Sequence, residues 1–154
     1  GAWDAMFWMG GLVALATALA KSGFIAWIAK LIGTAVAAAN MGWIASFVLI
    51  SLIYIYSHYC FASVTARISA MYAAFVAVAA ACGVPAMLVA ITFGCFANLP
   101  ISLTHYGNGC GPVYFGAGYV SQGEWWRNGF IITTINVVIW LTIGMAWWKF
   151  IGLY

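Results

Sequence analysis

The chain has 154 residues, of which 67% are hydrophobic and 5% are charged, and its net charge is +3. Soluble domains carry about 25% charged residues, so this composition indicates an integral membrane protein in a lipid bilayer. The few basic residues are scattered rather than clustered, which argues against a nucleic-acid partner. The chain begins at Gly1 without a methionine or a signal-peptide pattern, so we expect a fragment of a longer protein.

The first half of the chain predicts helices separated by polar segments. Residues 3–20 predict a short or tilted span, and residues 24–39 predict a helix along the membrane interface. An apolar run over 41–56 and a second from 70 to 82 predict a helical hairpin that enters the membrane and turns back. The polar patch between its arms is a candidate cavity wall, because non-helical backbone survives at depth only beside protein or water. That patch comprises Ser57, His58, Tyr59, Ser63, Thr65, Arg67 and Ser69.

The second half predicts a broken helix and a final span. Residues 83–85 mark a turn, and a new helix continues toward Asn98. Three glycines and a proline between 107 and 112 should break it, and residues 113–120 predict a second half-helix. After a polar loop at 121–124, the last span runs from Trp125 or Trp126 to the tryptophan pair before Lys149, since paired aromatics mark membrane interfaces.

Both histidines lie in one repeated pattern, Ser57-His58-Tyr59 and Thr104-His105-Tyr106. Polar residues inside a membrane are costly and usually face a partner, a cavity or a substrate. Two other interpretations stay open. Each histidine could serve packing alone, or both could join Cys60 and Cys110 in a metal site. A membrane metalloenzyme would also need a general base, and the chain has only two carboxylates.

The glycine run from 107 to 111 resembles a nucleotide-binding loop, but that loop needs a strand before it and a helix after it. A discontinuous membrane helix fits better, because its free N–H groups near Gly107 and Gly109 would attract an anion. The alternative is a kink without a ligand. Arg67 likewise has two interpretations, since it could snorkel toward water or act as counter-ion for an anionic substrate.

With these residues the chain resembles the C-terminal half of the divalent anion/sodium symporter family. It is most similar to the dicarboxylate-exchanger branch, which includes 2-oxoglutarate/malate translocators and citrate or tartrate/succinate antiporters. The resemblance extends over essentially all 154 residues. It is carried by residues 1–4, 56–63, 103–107, 112–119 and 147–149.

The resemblance implies an all-α membrane transporter built from two inverted repeats, each with a re-entrant helical hairpin and a broken helix. Residues 1–154 correspond to the second repeat, so the N-terminal repeat is expected elsewhere in a longer protein. Sodium-coupled relatives carry Ser-Asn-Thr at each hairpin tip, and here Ser57-His58-Tyr59 stands at that position. Hard cations prefer oxygen ligands, so replacing Asn by His58 favours anion exchange over sodium symport.

We therefore expect a multi-pass carrier of di- or tricarboxylates, in a bacterial inner membrane or a plastid envelope, and not an enzyme. Relatives imply a homodimer of the full protein. No metal or cofactor is expected, except sodium if the symport alternative holds. The expected substrate-binding residues are Ser57, His58, Tyr59, Ser63, Arg67, Thr104, His105, Gly107 and Gly109.

Overall fold

The computed structural model describes residues 21–154, together with residues 7, 10, 11, 14, 15 and 17–19. Every regular element in these residues is helical, as the composition predicts. The α-helices are α1 (Phe24–Ala38), α2 (Trp43–Tyr56), α3 (Val64–Ala81), α4 (Ala86–Cys95), α5 (Gly111–Gly116), α6 (Gln122–Ile139) and α7 (Met145–Phe150). Single 3-10 turns occupy Ser57–Cys60 and Leu99–Ser102, and a π-helical turn, Trp140–Gly144, joins α6 to α7.

Within the described residues, three helical segments are long and apolar enough to cross a membrane: Trp43–Cys60, Val64–Ala81 and Gln122–Phe150. The protein is therefore a multi-pass membrane protein. The predicted first helix, residues 3–20, lies mostly outside the described residues, although those that are described are helical. The helix predicted at 24–39 is confirmed as α1, which packs on α3, buries Ile25 and Ala29 and leaves Trp27 exposed.

The predicted hairpin is present as α2 and α3, which pack against each other and are joined at residues 57–63. The prediction that the return arm begins at residue 70 is wrong, because Ser63 caps a helix that begins at Val64. Its hydroxyl accepts a hydrogen bond from the backbone N–H of Ala66 at 3.4 Å. Thr65 and Ser69 consequently lie on exposed helix positions and not in a cavity wall.

Arg67 lies in the first turn of α3, next to the hairpin tip, and has no exposed surface. Its Nη1 donates to the carbonyl oxygen of Tyr54 at 3.0 Å, and its Nη2 donates to those of Phe96 at 3.2 Å and Ala97 at 2.8 Å. The guanidinium also lies 4.7 Å from the ring centroid of Tyr54, which stacks on Phe93 at 4.4 Å. One side chain thus ties the end of α2 to the end of α4.

The predicted break is confirmed, since no continuous helix runs from residue 100 to 118. Helix α4 is only ten residues long, and the chain between Leu103 and Cys110 is not helical. Helix α5 ends at Gly116, and Gly118 follows with a φ of 77°. The half-helix predicted at 113–120 is therefore too long, because the left-handed glycine stops it early.

The final span begins earlier than the tryptophans suggest. Ser121 caps α6, its hydroxyl accepting from the backbone N–H of Glu124 while the Glu124 carboxylate accepts from the Ser121 N–H at 2.9 Å. This capping box recruits Gln122, Gly123 and Glu124 into the first helical turn, so the predicted polar loop at 121–124 is wrong beyond Ser121. The helical path then continues to Phe150.

Gly129 is the point where α6 approaches the break segment most closely. A Cβ atom there would overlap the carbonyl oxygen of Ser102 and lie 3.0 Å from the Cα of Leu103. The hydroxyls of Ser102 and Thr133 lie 3.4 Å apart beside the same contact. Helix α6 thus lies directly against the backbone of the break segment.

We expect Gly129→Ala to destabilise the protein by about 1–3 kcal/mol, because α6 must move away from the Ser102 carbonyl. The measurement is the unfolding midpoint in a detergent titration. Gly123→Ala on the same helix is the matched control, since its Cβ would meet nothing within 4 Å. Equal midpoints for the two variants would contradict the close contact.

We expect Arg67→Lys to lower the free energy of unfolding by about 2 kcal/mol, because one ammonium cannot bridge both helix ends and leaves buried carbonyls unpaired. Arg127→Lys is the control, since Arg127 is exposed. We expect that variant to unfold within about 0.5 kcal/mol of the parent. If Arg67→Lys behaves like the control, the carbonyl contacts contribute nothing to stability.

Candidate functional site

The two repeated triads meet in space. The hydroxyl of Tyr106 donates to the carbonyl oxygen of Tyr59 at 2.9 Å. A Cβ atom on Gly107 would overlap Nε2 of His58 and lie 2.7 Å from the hydroxyl of Thr104. These contacts pack the hairpin tip against the broken helix, and only a glycine at 107 permits them.

The Tyr106 hydroxyl is well placed to keep this contact. Burial raises the pKa of that hydroxyl above its usual value, and the nearby Cys60 thiol adds to the effect. The group therefore stays protonated and remains a donor to the Tyr59 carbonyl.

One part of the predicted site is buried. His58, Arg67 and Thr104 have no exposed surface, Ser63 is 9% exposed, and Gly107 is buried beside them. Both ring nitrogens of His58 and the hydroxyl of Thr104 lack a hydrogen-bond partner within the described ranges. Buried polar atoms without partners are rare and call for water, a ligand or movement.

The other part of the predicted site is accessible. Ser57, Tyr59 and His105 are half-buried, and Gly109 is exposed. The Ser57 hydroxyl donates to the carbonyl oxygen of Tyr54 at 2.7 Å, so its proton is already engaged. His105 thus offers the accessible polar side chain of the second triad, while His58 in the first is enclosed.

His105 lies in an aromatic cluster. Its ring stacks on Phe115 with centroids 4.3 Å apart and meets the edge of Tyr106 at 5.1 Å. The indole N–H of Trp126 donates to Nδ1 of His105 at 3.4 Å, and the indole ring lies 5.6 Å from that of Tyr59. The sequence marked Trp126 only as an interface aromatic, so its contact with His105 was missed.

Asn108 is a second residue that sequence reasoning missed. Its side-chain oxygen accepts from the N–H groups of Cys110 at 2.8 Å and Gly111 at 2.7 Å. Its amide nitrogen donates to the carbonyl oxygen of Ile101 at 3.0 Å. An asparagine just before a helix is the available signal, since this residue type caps helix starts.

Asn108 limits which backbone donors after the break are free for an anion. Its side-chain oxygen already occupies the N–H groups of Cys110 and Gly111, whereas anion binding near Gly107 and Gly109 stays a prediction. Pro112 has no N–H, and the N–H of Val113 donates to the Cys110 carbonyl at 3.1 Å. The start of α5 is therefore internally satisfied.

The expectation that Arg67 snorkels to water is wrong, because the side chain is fully buried. Two of its nitrogens donate to backbone carbonyls, and only Nε is unpaired in the described part of the chain. Its role as a substrate counter-ion stays a prediction. The contacts that the structure gives it are those of a structural tie.

The metal-site alternative gains no geometric support. Among the residues that the structure describes, no three His, Cys, Asp or Glu side chains come together, and Cys60 and Cys110 are free and exposed. A cavity of about 350 Å³ borders the tip near Ser63, but apolar side chains line most of it. Its lining residues are Leu15, Leu19, Cys60, Phe61, Ala62, Ser63 and Ala66.

Comparison with known proteins places this geometry in a family. The model of the sodium:sulfate symporter transmembrane region matches residues 1–154. The chain is 45% identical over 153 residues to dicarboxylate transporter 1, chloroplastic, of Spinacia oleracea, which covers 99% of this chain and 27% of the relative. It is 46% identical over 154 residues to the putative malate transporter YflS of Bacillus subtilis, which covers 100% of this chain and 32% of the relative.

The chain therefore spans about a third or less of the length of these curated relatives. The resemblance seen in the sequence is confirmed, and the relatives are transporters, not enzymes. With a family match over its whole length, three apolar helices of spanning length and a broken helix packed on a hairpin tip, the chain belongs to the sodium:sulfate symporter transmembrane family.

Proposed function

We propose that this chain forms one half of the substrate pathway of a carrier for di- or tricarboxylates, which works by anion exchange. The observation that carries the proposal is the meeting of the two triads, where Gly107 lies against His58 and Tyr106 binds the Tyr59 carbonyl. The relatives named as dicarboxylate and malate transporters support the substrate class.

We place the carboxylate contact at the accessible surface of the triads. His105 and Tyr59 are half-buried there and can reach a ligand without unfolding of the site. Charge-assisted hydrogen bonds to a carboxylate are about twice as strong as neutral ones. The cavity beside Ser63 suits a dicarboxylate poorly, because burying a charge among apolar groups is costly.

The buried residues then act as the frame of the site. Arg67 fixes the two helix ends, and His58 and Thr104 fill the space beneath Gly107. Their unpaired atoms would gain partners if the tip and the break separate during transport. In this proposal His58 comes into contact with substrate only in that rearranged state.

Exchange is favoured over sodium symport by the chemistry of the tip. A sodium ion needs several oxygen ligands, whereas the buried side chain of His58 places an imidazole, which has no oxygen, at the tip. Sodium-coupled symport is the second candidate, and the description of the matching family model favours it. The two differ in whether a sodium gradient or an internal dicarboxylate drives uptake.

The complete carrier in this proposal contains an N-terminal repeat in inverted topology and pairs as a homodimer. The relatives, about three times as long as this chain, leave room for such a repeat. The matching proteins include chloroplast and bacterial members, so a plastid envelope and a bacterial inner membrane are both compatible locations.

We expect the full carrier to exchange dicarboxylates in potassium buffer without sodium, because the proposed exchange does not depend on a sodium site built from oxygen ligands. Replacing both histidines, His58→Asn with His105→Asn, should weaken dicarboxylate binding or create a requirement for sodium. The measurement is uptake of labelled malate into vesicles loaded with unlabelled malate, in potassium against sodium buffer.

Empty vesicles with an inward sodium gradient are the control for the symport alternative. Uptake by the parent that requires this gradient would replace exchange by sodium symport as the function. A double variant that exchanges normally in potassium would establish the histidines as packing residues.

Gly107→Ala should lower exchange by tenfold or more, because its Cβ would displace His58 from the break. Gly116→Ala is the matched control, since its Cβ would meet nothing within 4 Å. Initial rates are normalised to the amount of carrier in the membrane. Full activity of Gly107→Ala would show that His58 does not lie against the break in the working carrier.

A further inference from the structure

The hydrogen bond from Trp126 fixes which nitrogen of His105 carries the proton. An indole N–H can only donate, so Nδ1 of His105 must be an acceptor and therefore unprotonated. A neutral imidazole with an accepting Nδ1 carries its hydrogen on Nε2. Nε2 has no partner among the described residues and is not buried, so its N–H points to accessible space.

The ring of His105 is also held in one orientation. Phe115 stacks on it with an interplanar angle of 27°, and Tyr106 meets it edge-on at 81°. Trp125 meets Phe115 edge-to-face, with ring centroids 6.0 Å apart. A ring packed between aromatic side chains cannot flip about its Cβ–Cγ bond, which would replace Nδ1 by Cδ2 at the indole N–H, without breaking these contacts.

Trp126 is itself fixed by both halves of the site. Its indole lies 5.6 Å from the ring of Tyr59 and 6.3 Å from that of Tyr106. It lies near the start of α6, which the capping box of Ser121 and Glu124 anchors. The donor that faces His105 is therefore oriented before any ligand arrives.

We propose that Trp126 is a positioning residue that holds His105 as a neutral donor, so that Nε2–H binds one carboxylate of the transported anion. This inference rests on the proposed function and names the chemistry by which the site selects its ligand. A carboxylate only accepts hydrogen bonds, so it pairs with Nε2–H. A ligand that offers only a hydrogen-bond donor at this position would place that donor against the Nε2–H donor of His105, and no hydrogen bond could form.

The transport test uses Trp126→Phe in the full carrier, because phenylalanine keeps an aromatic ring and loses the N–H donor. The variant also loses the second ring of the indole, so its control must lose that ring too. We expect KM for malate to rise roughly tenfold, the factor that corresponds to one hydrogen bond, with little change in maximal rate. Trp125→Phe is the matched control, because Trp125 contacts Phe115 and the hydrogen bond to His105 comes from Trp126. We expect less than a twofold change there.

A double variant shows whether Trp126 acts through His105. In a His105→Ala background, Trp126→Phe should change KM by less than twofold, because the partner of the N–H is already absent. An equal loss in both backgrounds would overturn the proposal and leave Trp126 as a packing residue. An equal loss in Trp125→Phe would do the same.

A spectroscopic readout separates this proposal from the proposed function. The carrier is labelled with ¹⁵N-histidine, and the His105 signals are assigned by difference from His105→Ala. We expect an unprotonated, hydrogen-bonded Nδ1 whose resonance shifts in Trp126→Phe and not in Trp125→Phe. A protonated Nδ1 in the parent overturns the tautomer assignment whatever the uptake data show. The expected spectrum without dicarboxylate exchange would instead overturn the proposed function and the assigned ligand.

Discussion

A fully buried guanidinium determines how the two halves of this structure meet. Within the described part of the chain Arg67 has no acidic partner, and it is stabilised by the carbonyl oxygens of Tyr54, Phe96 and Ala97. Carbonyls at helix C-termini lack helical partners and carry partial negative charge, so they are the natural acceptors for a buried cation in an apolar interior. Because a cation without acceptors would be very costly in this setting, α2 and α4 must end at the same place.

The geometry of the site follows from that constraint. The first triad comes directly after α2 and the second follows α4 beyond one 3-10 turn, so tying the two helix ends brings both triads together. The absence of a side chain at Gly107 then lets the break lie against His58. On the far side, Gly129 lets α6 lie against the Ser102 backbone, which brings Trp126 within reach of His105.

The sequence alone predicted the parts of this fold that depend on local pattern. The hairpin and the broken helix follow from the lengths of apolar runs and from glycine and proline positions, which act through nearby backbone. It did not predict that α3 begins at Val64, because a patch containing Ser63 and Arg67 resembles a loop until its partners are known. The partners of Arg67 are backbone carbonyls, which every residue type carries, so the amino-acid sequence does not reveal which residues supply them. The Trp126–His105 contact likewise depends on tertiary packing.

The two similar triads have different surroundings, and this difference bears on how an anion would be bound. His58 is enclosed beneath Gly107 and has no hydrogen-bond partner among the residues that the structure describes, whereas His105 is half-buried with one nitrogen bound to Trp126. The start of α5 adds no free donors, since Asn108 satisfies it. In the proposed binding mode, an arriving anion meets one oriented donor at the surface, while the unsatisfied atoms of His58 and Thr104 remain below. Because a buried polar atom without a partner is costly, any arrangement that supplies these atoms with water, a ligand or another protein group is stabilised relative to the one described.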